Sequence, residues 1–161
     1  MNLLTVIGLY GGIKMVNTNR IKTEIEPAVR NWLKTEIGDV TLEERPMNFP
    51  SGGSYKFDAA SRDGRIVAAI LCNRAKTRTG RENTGGVRKA LVEVEHLKLL
   101  PGNISKMMVF TDSDFSNLVQ RRASRFGITN IRFLVCPLPA DKKMLLNNIL
   151  DEASQEQRAA E

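Results

Sequence analysis

One carboxylate, Asp58, lies in a stretch that is otherwise rich in apolar and aromatic residues, residues 54–76. The pair Asp63-Gly64 tolerates the positive φ angles of a two-residue type I′ turn, so this stretch is predicted to be a β-hairpin. In that register Asp58 lies opposite Ala69 and on the same face as Leu71. Burying a carboxylate beside two apolar residues is costly unless it is hydrogen-bonded, solvated or paired with a base. Asp58 is therefore the first candidate for a chemical role.

A basic segment follows the hairpin directly, residues 74–89, with the sequence RAKTRTGRENTGGVRK. Its glycines predict a mobile loop, and it contains no Walker motif because no Gly-Lys-Ser/Thr follows them. A basic loop at the end of a central strand is well placed to contact phosphates, although a solvated loop with excess charge explains the composition too. The candidate nucleic-acid-binding residues are Arg74, Lys76, Arg78, Arg81, Arg88 and Lys89.

The next helix, predicted for residues 87–99, carries two acids beside its apolar stripe. Glu93 and Glu95 fall on opposite sides of that stripe, while His96, the only histidine, is predicted to face solvent. Lys89 and Arg88 lie near enough along the helix to pair with these acids, so ordinary surface ion pairs are the alternative to a chemical role.

The elements that position these residues follow from apolar periodicity and from Gly and Pro punctuation. Thr23 and Glu26 form a capping box, which predicts a helix that begins there and stops at Gly38. The predicted order is α-β-β-β-α-β-α-β-α, with a near-apolar third strand in the middle of the sheet. The other predicted elements are strand 40–45, loop 46–53, strand 106–111, helix 114–126, strand 131–136 and helix 141–152.

From about residue 23 to residue 110 the chain resembles the PD-(D/E)XK, or restriction endonuclease-like, nuclease superfamily. The resemblance implies an α/β fold with an αβββαβ core, a mixed central sheet flanked by helices and, here, a C-terminal αβα extension. In that family two strand carboxylates hold Mg²⁺, and a lysine orients the attacking water. Asp58 matches the first acid, whereas Ala69 and Leu71 stand at the Glu and Lys of the Glu-x-Lys motif.

Some members of the superfamily take the missing glutamate from the helix after the motif. The resemblance therefore makes Glu93 and Glu95 candidate catalytic acids beside Asp58, with Lys76 as a candidate migrated lysine and Asp58 as a metal ligand. Acids of the first helix are further candidates, namely Glu24, Glu26 and Glu36.

Three functions remain open from the sequence. The favoured one is a nucleic-acid-binding relative, with DNA as the expected partner, that has lost the standard nuclease site because Ala69 and Leu71 are both apolar. The alternatives are an active Mg²⁺-dependent endonuclease with a migrated acid, or a non-catalytic subunit of a nuclease assembly. Whether Ala69 and Leu71 are natural or substituted residues is also left open.

Composition fits one domain of 161 residues, with an N-terminal extension at residues 1–20 and a flexible tail at 153–161. The net charge of +6 favours an acidic partner such as nucleic acid. Cys72 and Cys136 are predicted to be buried reduced thiols, and a single histidine supports no zinc site. The apolar start is too short to cross a membrane, so we expect a cytoplasmic protein, and analogy with restriction enzymes suggests a homodimer.

Overall fold

The computed structural model describes residues 19–159. The predicted N-terminal extension, residues 1–20, therefore lies almost entirely outside the described residues. A π-helical turn, Ile21–Ile25, leads into helix α1, Glu26–Glu36, and three strands follow: β1, Leu42–Asn48, β2, Ser54–Ser61, and β3, Ile66–Leu71. The remaining elements are α2, Thr84–Leu99, β4, Ser105–Phe110, α3, Ser113–Ser124, β5, Ile131–Val135, and α4, Ala140–Ala159. This order is the predicted one.

The five strands form one mixed sheet in the order β1-β2-β3-β4-β5. The pairs β1/β2 and β2/β3 are antiparallel, whereas β3/β4 and β4/β5 are parallel. The parallel connections each contain a helix, α2 and α3, as parallel strands require. The prediction of an α/β protein with a mixed central sheet is confirmed.

Helices cover both faces of the sheet, and the alternation of β3 shows which helices lie on which face. Ala69 and Leu71 join the core cluster formed with α2 and α3, while Ala68 and Ile70 join the cluster formed with α1 and α4. All four side chains are buried, as expected for a central strand with helices on both sides.

The first helix begins upstream of the predicted capping box. Thr23 does not cap it, because the Thr23 hydroxyl donates to the carbonyl of Asn19 at 2.9 Å within a helical turn. Pro27 lacks an N–H and its ring crowds the carbonyl four residues earlier, which accounts for the π-helical turn just before it. The capping-box prediction was therefore wrong.

Most strand and helix boundaries differ from the predictions by one to three residues, and α2, for example, begins at Thr84 instead of residue 87. β1 continues through Pro46 to Asn48, where a loop was predicted, because β1 is an edge strand and proline is tolerated there. Helix α4 continues past Glu152 to Ala159.

The hairpin turn also differs in type. The only positive φ in it is that of Gly64, at 72°, so the turn is not the type I′ turn that needs a positive φ at Asp63 as well. Instead the Asp63 carboxylate accepts hydrogen bonds from the Ser61 hydroxyl at 2.6 Å and the Arg65 N–H at 3.1 Å.

Cys72 and Cys136 are buried and unpaired, as predicted. Burial raises the pKa of Cys72 to about 12 and that of Cys136 to about 11, so both thiols stay protonated at neutral pH. No helix within residues 19–159 has the length and apolar character that a membrane crossing needs.

Candidate functional site

Asp58 lies in a β-bulge of strand β2. The pairing of β1 with β2 shifts by one residue between Glu43 and Arg45, so that Asp58 and Ala59 together face Glu44. A bulge of this kind bends the strand and changes the direction in which its side chains point. It explains why Asp58 is not simply one more residue of an alternating strand.

On its other side, β2 pairs with β3 in the predicted register, with Ala59 facing Ala68. One step further on, the Asp58 carboxylate accepts a hydrogen bond from the Ile70 N–H at 2.8 Å. A side chain thus replaces a backbone acceptor for that amide at the end of the paired region. A buried carboxylate at this position had to be hydrogen-bonded, solvated or paired with a base, and this bond meets the first of those conditions.

Ala69 and Leu71 lie in the core beneath α2 and are fully or almost fully buried. Nothing polar is offered to a ligand at either position. The Glu-x-Lys positions are therefore core positions of a central strand.

Acids from both helical layers lie close enough to Asp58 to interact with its charge. The pKa of Asp58 is raised, chiefly by burial and further by Glu93 of α2, while the Ile70 hydrogen bond opposes the shift. The pKa of Glu26, on α1, is raised to about 6 by burial and by Asp58. Of the acids suggested by the sequence, Glu93 and Glu26 are brought near Asp58.

Glu93 is buried and takes part in a contact that the sequence did not predict. The Tyr55 hydroxyl donates to Glu93 Oε1 at 2.5 Å, and His96 Nδ1 lies 3.8 Å from Glu93 Oε2. The His96 ring stacks on Tyr55 with centroids 3.8 Å apart. The prediction that His96 faces solvent was therefore wrong, because the ring covers Tyr55 instead.

Glu95 remains on the surface, where its carboxylate pairs with Lys98 at 3.3 Å. Its partner is thus Lys98 and not Arg88, but the surface-pair interpretation holds for this acid. Glu95 is not brought to Asp58 by any contact in the described range.

The acids around Asp58 do not fit a standard Mg²⁺ site. Among residues 19–159, no three or more His, Cys, Asp or Glu side chains are placed to hold a metal ion. One oxygen of Asp58 is engaged by Ile70, and one of Glu93 by Tyr55. Lys76 lies on the exposed basic segment, and the lysine whose charge acts on Asp58 is instead Lys22, in the π-helical turn before α1.

The part of the basic segment from residue 76 to residue 82 forms a hydrogen-bonded turn. Lys76 and Glu82 form a short antiparallel bridge, and the Thr77 N–H donates to the Arg81 carbonyl at 2.7 Å. Gly80 closes the turn with a positive φ of 81° and donates to the Thr77 carbonyl at 3.0 Å. The glycine therefore shapes a hydrogen-bonded turn.

Two helix caps hold the base of this turn. The Asn83 side chain accepts from the Gly86 N–H at 3.0 Å, which caps α2, and donates to the Arg74 carbonyl at 2.9 Å. Asp112, which caps α3 through the Phe115 N–H, also accepts from the Ala75 N–H at 3.3 Å. The basic segment is thus fixed to the starts of both helices.

Arg74 differs from the other basic residues of the segment because its side chain contacts helix α4. It contacts the Asp151 carboxylate at 2.9 Å and the carbonyl and side-chain oxygens of Asn147 at 3.1 Å. Its sequence neighbourhood gave no signal of these partners, which are more than seventy residues away.

Glu82, the one acid of the basic segment, is paired with Arg122 of α3 at 2.5 Å. The five other basic residues are exposed and form no ion pair within the described chain. They are Lys76, Arg78, Arg81, Arg88 and Lys89. This surface therefore carries positive charge that the rest of the described protein does not compensate.

No protein-family model, no curated protein and no solved structure matches the chain.

Proposed function

We propose that the protein binds the phosphate backbone of nucleic acid, with DNA as the expected partner, through the basic segment. The observation that carries this proposal is a set of five exposed positive side chains with no ion-pair partner in the described chain, three on a hydrogen-bonded turn and two at the start of α2. Because the backbone of the turn is hydrogen-bonded, binding costs less backbone entropy than it would for an open loop, and the main entropic cost is the rotamer freedom of the side chains.

The expected mode of binding is electrostatic and independent of base sequence. Each phosphate neutralised by Lys or Arg releases condensed counterions, so affinity falls as salt rises. Arg88 and Lys89 lie in the first turns of α2, whose amino-terminal dipole adds to their attraction for anions. The basic segment thus combines side-chain charge with a helix amino terminus.

Within this proposal, the fold is restriction endonuclease-like and the nuclease site has been lost. Support comes from the αβββαβ element order, the acid-bearing hairpin and the core positions of Ala69 and Leu71. The donor set around Asp58 does not fit Mg²⁺, so no hydrolytic step is assigned to it. Two buried free thiols fit a reducing cytoplasm, and a homodimer remains a proposal by analogy.

One observation favours the second candidate, an active endonuclease: two further acids lie near Asp58. Glu93 adds to the rise that burial causes in the pKa of Asp58, and Asp58 adds to the rise that burial causes in the pKa of Glu26. We predict no Asp58-dependent cleavage of plasmid or single-stranded DNA in Mg²⁺ or Mn²⁺. Nicking that is present in the wild type and abolished in a folded Asp58→Asn variant would instead establish the enzyme.

The proposed binding is tested with two matched double variants. Arg78→Ala with Arg81→Ala removes two charges from the basic segment, whereas Arg62→Ala with Arg65→Ala removes two exposed charges from the turn at the other end of β3. We expect the first variant to weaken binding to a fluorescent duplex at least tenfold and the second to have little effect. An equal loss of affinity in both variants would show that binding depends on the overall charge of the protein and not on the basic segment.

A further inference from the structure

Lys106 occupies a core position of the sheet. It lies between Val67 of β3 and Ile131 of β5, and it is two residues from Met108 on the same face of β4. Those neighbours are apolar and buried, and Lys106 itself is only 5% exposed. A lysine at such a position costs stability unless its charge is compensated.

The described part of the chain compensates Lys106 only in part. Its ammonium group donates to the Leu100 carbonyl at 2.8 Å, just after the end of α2, where the helix dipole favours a cation. An ammonium has three donors, and within residues 19–159 it has this one acceptor and no ion-pair partner. Burial accordingly lowers the pKa of Lys106.

A cavity of about 240 Å³ adjoins this lysine. A space of this size has room for several waters or for a small anion with part of its hydration shell. The lining includes a second lysine, a hydroxyl and a side-chain amide but no acid. The lining residues are Lys98, Lys106, Gly127, Ile128, Thr129, Asn130 and Ile131.

From this combination we propose that the cavity binds a small oxyanion of the phosphate type, either inorganic phosphate or a phosphate monoester. Lys106 supplies the buried positive charge, and Lys98, which pairs on its outer side with Glu95, supplies a second charge at the wall. The Thr129 hydroxyl donates to Asn130 Oδ1 at 2.8 Å, which leaves the two N–H groups of the Asn130 amide as donors for the remaining oxygens.

This site is separate from the proposed nucleic-acid surface. Lys106 and Ile131 lie at the amino ends of β4 and β5, whereas the basic segment follows the carboxyl end of β3. Because these three strands are parallel, the two sites lie at opposite ends of the strands. The oxyanion proposal therefore stands or fails independently of nucleic-acid binding.

The test is a titration of the full chain with sodium phosphate at constant ionic strength, with chloride as the reference. For a millimolar Kd, roughly 20 mM phosphate should raise Tm by about 3 to 7 °C. Amide NMR signals of residues 127–131 should shift with the same saturation curve. Lys106→Met should abolish both effects, while Arg78→Ala with Arg81→Ala should leave both unchanged.

Further arms identify the source of the phosphate. A nucleoside 5′-monophosphate and a 5′-phosphorylated oligonucleotide are compared with inorganic phosphate, and saturation by any of them through Lys106 supports the site. The wild-type NMR titration does not depend on how the variant folds. The proposal is overturned if no amide of residues 127–131 shows a saturable shift with any of these anions, or if a folded Lys106→Met variant responds like the wild type.

Discussion

The Asp58 carboxylate accepts a hydrogen bond from the Ile70 N–H, in surroundings that disfavour its charge. The nearby Glu26 carboxylate is also buried, and one of its oxygens has no hydrogen-bond partner in the described protein. Arg30 approaches that oxygen only to 3.7 Å and donates instead to the Asp58 carbonyl at 2.9 Å. The Arg30 guanidinium therefore forms a hydrogen bond with the Asp58 carbonyl but not with the Glu26 carboxylate.

Glu26 should therefore make stability depend on pH. Its pKa in the folded protein is about 6, above the ordinary value of 4.5, so the stability associated with its neutral form is present below pH 4.5 and is lost as pH rises through about 6. We expect Glu26→Gln to be more stable than the wild type at pH 7 by about 2 kcal/mol, measured by urea unfolding.

Glu24→Gln is the matched control for this prediction. Glu24 precedes the same helix, but its side chain is 40% exposed and pairs with Arg20, so its removal should change the free energy of unfolding by less than about 0.5 kcal/mol. A Glu26→Gln variant that is equally or less stable than the wild type at both pH 4 and pH 7 would contradict the account.

Glu93 and Glu95 show how far the environment of a single residue can be predicted from the sequence. Helical spacing correctly placed both acids beside the apolar stripe, but it could not choose between them. The choice depends on Tyr55, whose hydroxyl reaches Glu93 from a strand 38 residues earlier. No local pattern encodes that contact, nor the stacking of the His96 ring on Tyr55.

At the scale of elements, the start of α2 depends on one side chain. Asn83 both caps the helix and holds the Arg74 carbonyl, so its position couples the helix to the basic segment. A Cβ added at Gly86 would lie 2.6 Å from the Asn83 side chain, whereas one added at Gly85 would meet nothing within 4 Å. These two adjacent glycines offer a matched pair of substitutions.

Gly85→Ala should stabilise the protein by about 0.5 to 1 kcal/mol, because alanine favours the helix more than glycine does. Gly86→Ala should be less stable than Gly85→Ala by about 1 to 2 kcal/mol, since the methyl group displaces the Asn83 cap. Chemical unfolding of both variants measures the difference. Equal stability of the two would show that the cap has no energetic role.

The sequence predicted the elements better than their details. The register of the β2–β3 hairpin was correct although the turn type was not, because Ser61 and Asp63 close the turn through side-chain hydrogen bonds. The bulge at Asp58 had no signal, since it contains no glycine or proline. Of the glycines in the basic segment, Gly80 permits the hydrogen-bonded turn, whereas Gly85 and Gly86 lie in the first turn of α2.

At the scale of the whole molecule, the parallel strands separate two positively charged regions. The basic segment lies at their carboxyl end and the cavity beside Lys106 at their amino end. The acids around Asp58 lie at the bulge of the antiparallel hairpin, in a donor arrangement that does not suit Mg²⁺. The central claim is that backbone binding belongs to the first of these regions.

The most direct measurement of that claim is the salt dependence of duplex binding for three proteins: the wild type, Arg78→Ala with Arg81→Ala, and Arg62→Ala with Arg65→Ala. If Arg78 and Arg81 each contact a phosphate, their removal should flatten the slope of log K against log salt by roughly two units. The Arg62 and Arg65 variant should keep the wild-type slope. A basic-segment variant that retains both the affinity and the slope of the wild type would contradict the account.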